Sequence, residues 1–115
     1  EPTSAMKMRA ARDAGHPVTL EKTASIGDGI MNMRAGDLTF AHVQRYVDDL
    51  VAVPDDAMAQ AVKWLFGQAR IVAEPSGAAT TAAVMLGLGD PEGTVAVVMS
   101  GGNVQPDHFA NYITS

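Results

Sequence analysis

The sequence predicts an α/β fold, a mainly parallel twisted sheet with helices on both faces. Two observations carry this. The apolar runs Leu50-Val51-Ala52-Val53, Ile71-Val72-Ala73 and residues 94–99 are continuous and not alternating, which suits strands covered on both sides. Stretches of helical periodicity separate them, the order that builds parallel sheets. Ligands in such sheets bind beyond the carboxyl ends of the strands. Three turn-forming segments fall there: Glu1-Pro2-Thr3-Ser4, Glu74-Pro75-Ser76-Gly77 and Ser100-Gly101-Gly102-Asn103.

A first helix is expected over 3–14, with Thr3 or Ser4 as its N-cap and Gly15 closing it. His16-Pro17 ends it. Val18-Thr19-Leu20 is a short extended piece leading into a loop over 23–30, where Gly27 and Gly29 flank Asp28. Thr39 caps a second helix whose buried stripe is Phe40, Val43 and Val47, and Asp48-Asp49 marks its end. Pro54 stops the first apolar run, and Asp55 opens the clearest helix, with Met58, Ala61, Val62, Leu65, Phe66 and Ala69 as its inner face. Trp64, at helical spacing, also reads as core. Glu74-Pro75-Ser76-Gly77 turns into a small-residue helix from 78 to about 86, with 87–91 as its exit. A terminal helix runs from Pro106 through Tyr112.

The length of 115 residues fits one domain, and a composition 47% hydrophobic and 18% charged is that of an ordinary globular chain. A formal charge of −5 with no run of Lys or Arg argues against a nucleic-acid partner. The absence of Cys removes disulfides, thiolate metal sites and a cysteine nucleophile, and fits a reducing cytoplasm. The longest weakly polar stretch, 77–89, is broken by Thr80 and Thr81 and is shorter than the roughly 20 apolar residues a bilayer requires, so no membrane span is expected.

Ser100-Gly101-Gly102-Asn103 allows a tight turn and a close approach of backbone to ligand, or merely joins strand to helix. It lacks the Lys-Ser or Lys-Thr ending of a phosphate-binding P-loop. Glu74, at a strand's carboxyl end, is either solvated or engaged in a site, since a buried carboxylate needs partners. Asp28 offers the same alternatives. His16, His42 and His108 show no metal-ligand spacing and read as surface or capping residues.

In combination these segments say more. Ser25-Ile26-Gly27-Asp28-Gly29-Ile30, Val47-Asp48-Asp49, Glu74-Pro75-Ser76-Gly77-Ala78-Ala79 and Val98-Met99-Ser100-Gly101-Gly102-Asn103 occur in that order. The series resembles fold-type-II pyridoxal-phosphate enzymes, and within them threonine and serine dehydratases and serine racemases, over residues 1 to about 104. The resemblance implies the large domain of the tryptophan-synthase-β-like fold. Residues 1–115 would be its C-terminal portion, completed by the rest of the catalytic domain. It implies that Ser100 meets the pyridine nitrogen of pyridoxal 5'-phosphate, that Gly29 borders the ring, and that Glu74 tunes it electrostatically. Gly101, Asn103 and Asp28 would shape the same pocket.

The family's divalent-cation site would fall on Glu1, the carbonyl of Ala5 and position 7. Lys7 stands there in place of an acidic ligand and offers its ammonium to Glu1, while Asp37 remains a further oxygen ligand. The Schiff-base lysine and the phosphate-binding glycine loop are expected upstream, since Lys7, Lys22 and Lys63 do not lie in the family's lysine motif. The implied reaction is dehydration of L-threonine or L-serine to a 2-oxo acid and ammonia, which this fragment alone would not catalyse. An amino-acid racemase of the same fold, or a nucleotide-binding module using the Ser100 loop, are the alternatives. A cytoplasmic homodimer is the implied assembly.

Overall fold

The computed structural model describes residues 1–90 and 92–115; Pro91, in the exit expected at 87–91, lies outside the described residues. The helices are α1 (Lys7–Ala14), α2 (Asp37–Tyr46), α3 (Asp55–Trp64), α4 (Pro75–Met85) and α5 (Pro106–Thr114). A 3-10 turn spans Asp28–Ile30, and a π-turn over Leu65–Ala69 prolongs α3.

Helix α1 begins later than expected, and neither Thr3 nor Ser4 caps it. The carboxylate of Glu1 does so from a distance, accepting the amides of Met8 at 2.7 Å and Arg9 at 2.9 Å. These are the free donors an N-cap hydroxyl would take, and a negative charge is favoured at that end of a helix. The Ser4 hydroxyl donates instead to the carbonyl of Ala24. Gly15 closes the helix as its left-handed residue, with φ 80°.

The core lies between α3 and α4. Met58, Ala61 and Val62 of α3 and Leu65 of the π-turn meet Ala78 and Ala82 of α4, with Val53 and Ala73 in the same cluster. Alanines on α4 let the two helices approach closely, and Ala79 and Ala83 pack at the edge of the same cluster. Helix α4 starts at Pro75, three residues before the expected 78, because proline needs no amide partner in a first turn. Phe66 is partly covered and meets Phe109 of α5 edge-on, with centroids 5.3 Å apart. Two residues expected in the core around α3 are exposed. Trp64 lies about 100° around the helix from Leu65 and is 47% exposed. Ala69 is turned outward at the end of the wider π-turn. A second, smaller cluster joins α1 to α2 through Ala11, Ala35 and Phe40; Val43 is half-buried and Val47 is exposed.

The expected strands are the main correction. Among the described residues β pairing is confined to isolated bridges, Pro2 with Val53 in parallel and Thr19 with Arg34 antiparallel. The parallel contact is flanked by bonds from Val53 N to Glu1 O (2.8 Å) and from Thr3 N to Val53 O (2.9 Å). Glu74 N likewise donates to Gly101 O at 3.1 Å. An extended run becomes a strand only where a neighbour supplies successive partners in register. Residues 94–99, expected to be covered on both faces, are exposed, Val98 to 74%. No helix among the described residues is long and apolar enough to cross a membrane.

Candidate functional site

The bond from Glu74 N to Gly101 O brings the Glu-Pro-Ser-Gly and Ser-Gly-Gly-Asn segments together. Glu74 is the N-cap residue of α4, and Ser76, in its first turn, is 7% exposed. The Ser76 hydroxyl accepts the amide of Gly29 at 2.9 Å, and Asp28 Oδ1 accepts the same amide at 2.8 Å. This fixes the 3-10 turn over the start of α4.

Three glycines make the assembly possible. A Cβ on Gly29 would lie 3.1 Å from Ser76 Oγ and 3.8 Å from Glu74 Oε1, and one on Gly101 would lie 2.9 Å from Glu74 Cδ. The Glu74 carboxylate thus sits beside both backbones. A Cβ on Gly77 would fall 2.9 Å from Gly101 N and closer still to its carbonyl oxygen, so α4 can approach the Gly101 turn only where it carries no side chain.

The expected residues divide between two clefts. Asp28, Glu74 and Asn103 line a cleft of about 340 Å³, whose far wall is His108 and Tyr112 of α5. Gly29 joins Asp28, Glu74 and Asn103 in a smaller recess. Ser100 opens onto a different cleft of about 320 Å³, with Glu1, Lys7, Ile30, Ser76 and Thr80. Gly101 sits between the two, bonded to Glu74. The sequence placed Ser76 only in the turn before α4, and His108 among surface or capping residues. The signal available for α5 was the four-residue spacing of His108 and Tyr112, which puts both on one helix face.

Around Glu1, both carboxylate oxygens hold α1 amides, and Lys7 Nζ stands 3.9 Å from Oε1. The carbonyl of Ala5 accepts the Lys7 amide at 2.9 Å, and Asp37 is paired with Arg34 at 2.8 Å. Among the described residues no group of three His, Cys, Asp or Glu side chains is placed to hold a metal ion.

Residues 1–101 match the family model of the pyridoxal-phosphate dependent enzymes. A biosynthetic L-threonine dehydratase of Escherichia coli strain K12 is 42% identical over 110 residues, which are 93% of this chain and 21% of that protein. Among solved structures, a threonine deaminase of T.th. superposes with a TM-score of 0.85 at 31% identity, covering 91% of this chain and 39% of the other. Maize serine racemase superposes at 0.86 with 32% identity, covering 96% and 36%. The chain spans about a fifth to a quarter of the length of the curated relatives it matches.

Proposed function

The chain belongs to the family of pyridoxal-phosphate-dependent enzymes, and from that premise we propose that residues 1–115 are the C-terminal portion of a catalytic domain that dehydrates L-threonine or L-serine to a 2-oxo acid and ammonia. The observation that carries this is the approach of Gly29 and Gly101 to the Glu74 carboxylate, held by the Glu74–Gly101 backbone bond and the Ser76–Gly29 bond. The 42% identity to a threonine dehydratase supports the same reaction.

The residues present fit the ring of the cofactor. Gly29 and Gly101 offer flat backbone on either side of a carboxylate, and Asn103 adds an amide that can donate and accept. No Lys or Arg lines the cleft holding Asp28 and Glu74, so it offers a phosphate no cation. The phosphate grip and the Schiff-base lysine are assigned to no residue of this chain. When bound, the cofactor supplies an electron-withdrawing ring that stabilises negative charge at the substrate's α-carbon. Ser100 lies across the Gly101 turn, on the neighbouring cleft; its assignment to the ring nitrogen, which its neutral hydroxyl would leave unprotonated, rests on the family resemblance. Gly29 would leave the ring face clear. Glu74 would set the field at the ring, and Gly101, Asn103 and Asp28 would shape its border.

The exposed apolar side chains Val95, Val97, Val98 and Met99, with Val84 and Met85 of α4 and Leu86 just past its end, support docking against the remainder of the catalytic domain. The assembled enzyme is proposed to be a cytoplasmic homodimer. Glu1 and Asp37, each already engaged, give a divalent cation no vacant carboxylate pair, so cation binding is not part of the proposal.

The likeness to maize serine racemase supports a second reading, racemisation of an amino acid on the same fold. Chiral analysis of recovered serine separates the two, because a dehydratase alone leaves no D-enantiomer. The family match leaves the nucleotide-binding alternative without support. The role of Ser100 is tested by Ser100→Ala in the full-length enzyme. Loss of that hydrogen bond is expected to lower turnover about tenfold or more, and unchanged kinetics would refute the assignment.

A further inference from the structure

The side chain of Lys7 is only 16% exposed, yet it lies outside the recess that holds Glu74. An ammonium in such a place must have partners, because removing it from water unpaired costs several kcal/mol. It has two. Nζ donates to the carbonyl of Ile30 at 2.9 Å, and it stands 3.9 Å from Glu1 Oε1. Glu1 is itself immobilised by the amides of Met8 and Arg9. Lys7 therefore connects an anchored carboxylate at the start of α1 to the last residue of the Asp28–Ile30 turn.

That turn is weakly self-sufficient. It has three residues, none buried, and its own backbone bonds are Ile30 N to Gly27 O at 3.1 Å and Met31 N to Asp28 O at 3.3 Å. Two clamps reach it from distant parts of the chain. The Ser76 hydroxyl takes the amide of Gly29, and the Lys7 ammonium takes the carbonyl of Ile30. Together they hold the Gly29-Ile30 dipeptide from both ends.

We propose that Lys7 is a positioning residue for the Gly29 shelf: its ammonium, fixed by Glu1 and donating to Ile30 O, locks the turn against α1 so that Gly29 stays over Ser76 and beside Glu74. The purpose of the lock rests on the reading of Gly29 as the floor under the cofactor ring, but the lock itself does not.

The test is amide hydrogen exchange in the full-length protein without cofactor or substrate, comparing Lys7→Met and Lys7→Arg with the parent. The Gly29 amide reports on the turn and the Ala61 amide on the α3 core. Lys7→Met is expected to speed exchange at Gly29 by about 10- to 100-fold, the loss of one hydrogen bond to a charged group, and to leave Ala61 unchanged. Lys7→Arg, which keeps the charge and the donors, restores Gly29 to within about threefold. The inference is overturned if Gly29 is unaffected in Lys7→Met, if Ala61 accelerates with it, or if Lys7→Arg behaves as Lys7→Met. Since no turnover is read, failure here is distinguishable from failure of the proposed reaction, which a separate threonine assay decides.

Discussion

Replacing Gly77 by alanine sets two effects of opposite sign against each other. Alanine is worth up to about 1 kcal/mol over glycine inside a helix, so propensity alone favours the change. Against it, the new Cβ would lie 2.9 Å from Gly101 N and closer to Gly101 O, where an ordinary contact begins at 3.4 Å. The obstructing atoms are backbone, so no side chain can swing aside. The Gly101 peptide must retreat by at least 0.5 Å, and the 3.1 Å bond from Glu74 N to Gly101 O goes with it. Overpacking of this kind costs about 1–3 kcal/mol, occasionally more, and exceeds the gain in propensity. A net loss of up to about 2 kcal/mol corresponds to a factor of up to about 30 in local opening. Gly67 is the control: nothing lies within 4 Å of its added Cβ, so Gly67→Ala should stabilise by about 0.5–1 kcal/mol. Both variants are made in the full-length protein and compared by melting temperature and by hydrogen exchange at the Glu74 amide. If Gly77→Ala melts as high as Gly67→Ala, or leaves Glu74 exchange unchanged, the close approach of α4 to the Gly101 turn is refuted.

Gly101→Ala should behave differently, because the group its Cβ meets is the carboxylate of Glu74, the mobile end of a side chain. Melting temperature is expected to stay near that of the parent while cofactor affinity, read by fluorescence titration, falls; a large loss of stability with intact affinity contradicts this. Asp55 ties the loop before the 3-10 turn to α3 by accepting the Ser25 hydroxyl at 2.6 Å and the Ile26 amide at 3.0 Å. Asp55→Ala strands both donors and should destabilise by about 1–3 kcal/mol in urea unfolding, with Asp55→Asn recovering part of the loss.

What could be read from the sequence was local. The Gly15 close of α1, the opening of α3 at Asp55 and the inner face through Met58, Ala61, Val62 and Leu65 follow from residue types a few positions apart. So does the use of small residues on α4. What was missed depends on partners remote in sequence. Glu1 caps α1 from seven and eight residues away, which no capping pattern anticipates. Ser76 reaches Gly29 across 47 positions, and Lys7 reaches Ile30 across 23. The runs at 50–53, 71–73 and 94–99 carry strand composition, yet pairing requires neighbours in register, and the described residues supply them only at single points. Trp64 was misplaced because helical spacing alone does not say which face is covered, and Ala69 because the π-turn changes the period after Leu65. In the cleft, Asp28, Glu74 and Asn103 were identified from their segments, whereas the wall formed by His108 and Tyr112 needed the packing of α5 against the π-turn through Phe109 and Phe66.

The most direct measurement is product formation from L-threonine by the full-length protein, before and after removal of pyridoxal phosphate and again after its return. A 2-oxo acid and ammonia should appear in equal amounts, disappear on removal and reappear on return, with the Ser100→Ala variant slower by about tenfold or more. If the cofactor-loaded protein forms no 2-oxo acid from threonine or serine, the dehydratase reading is wrong.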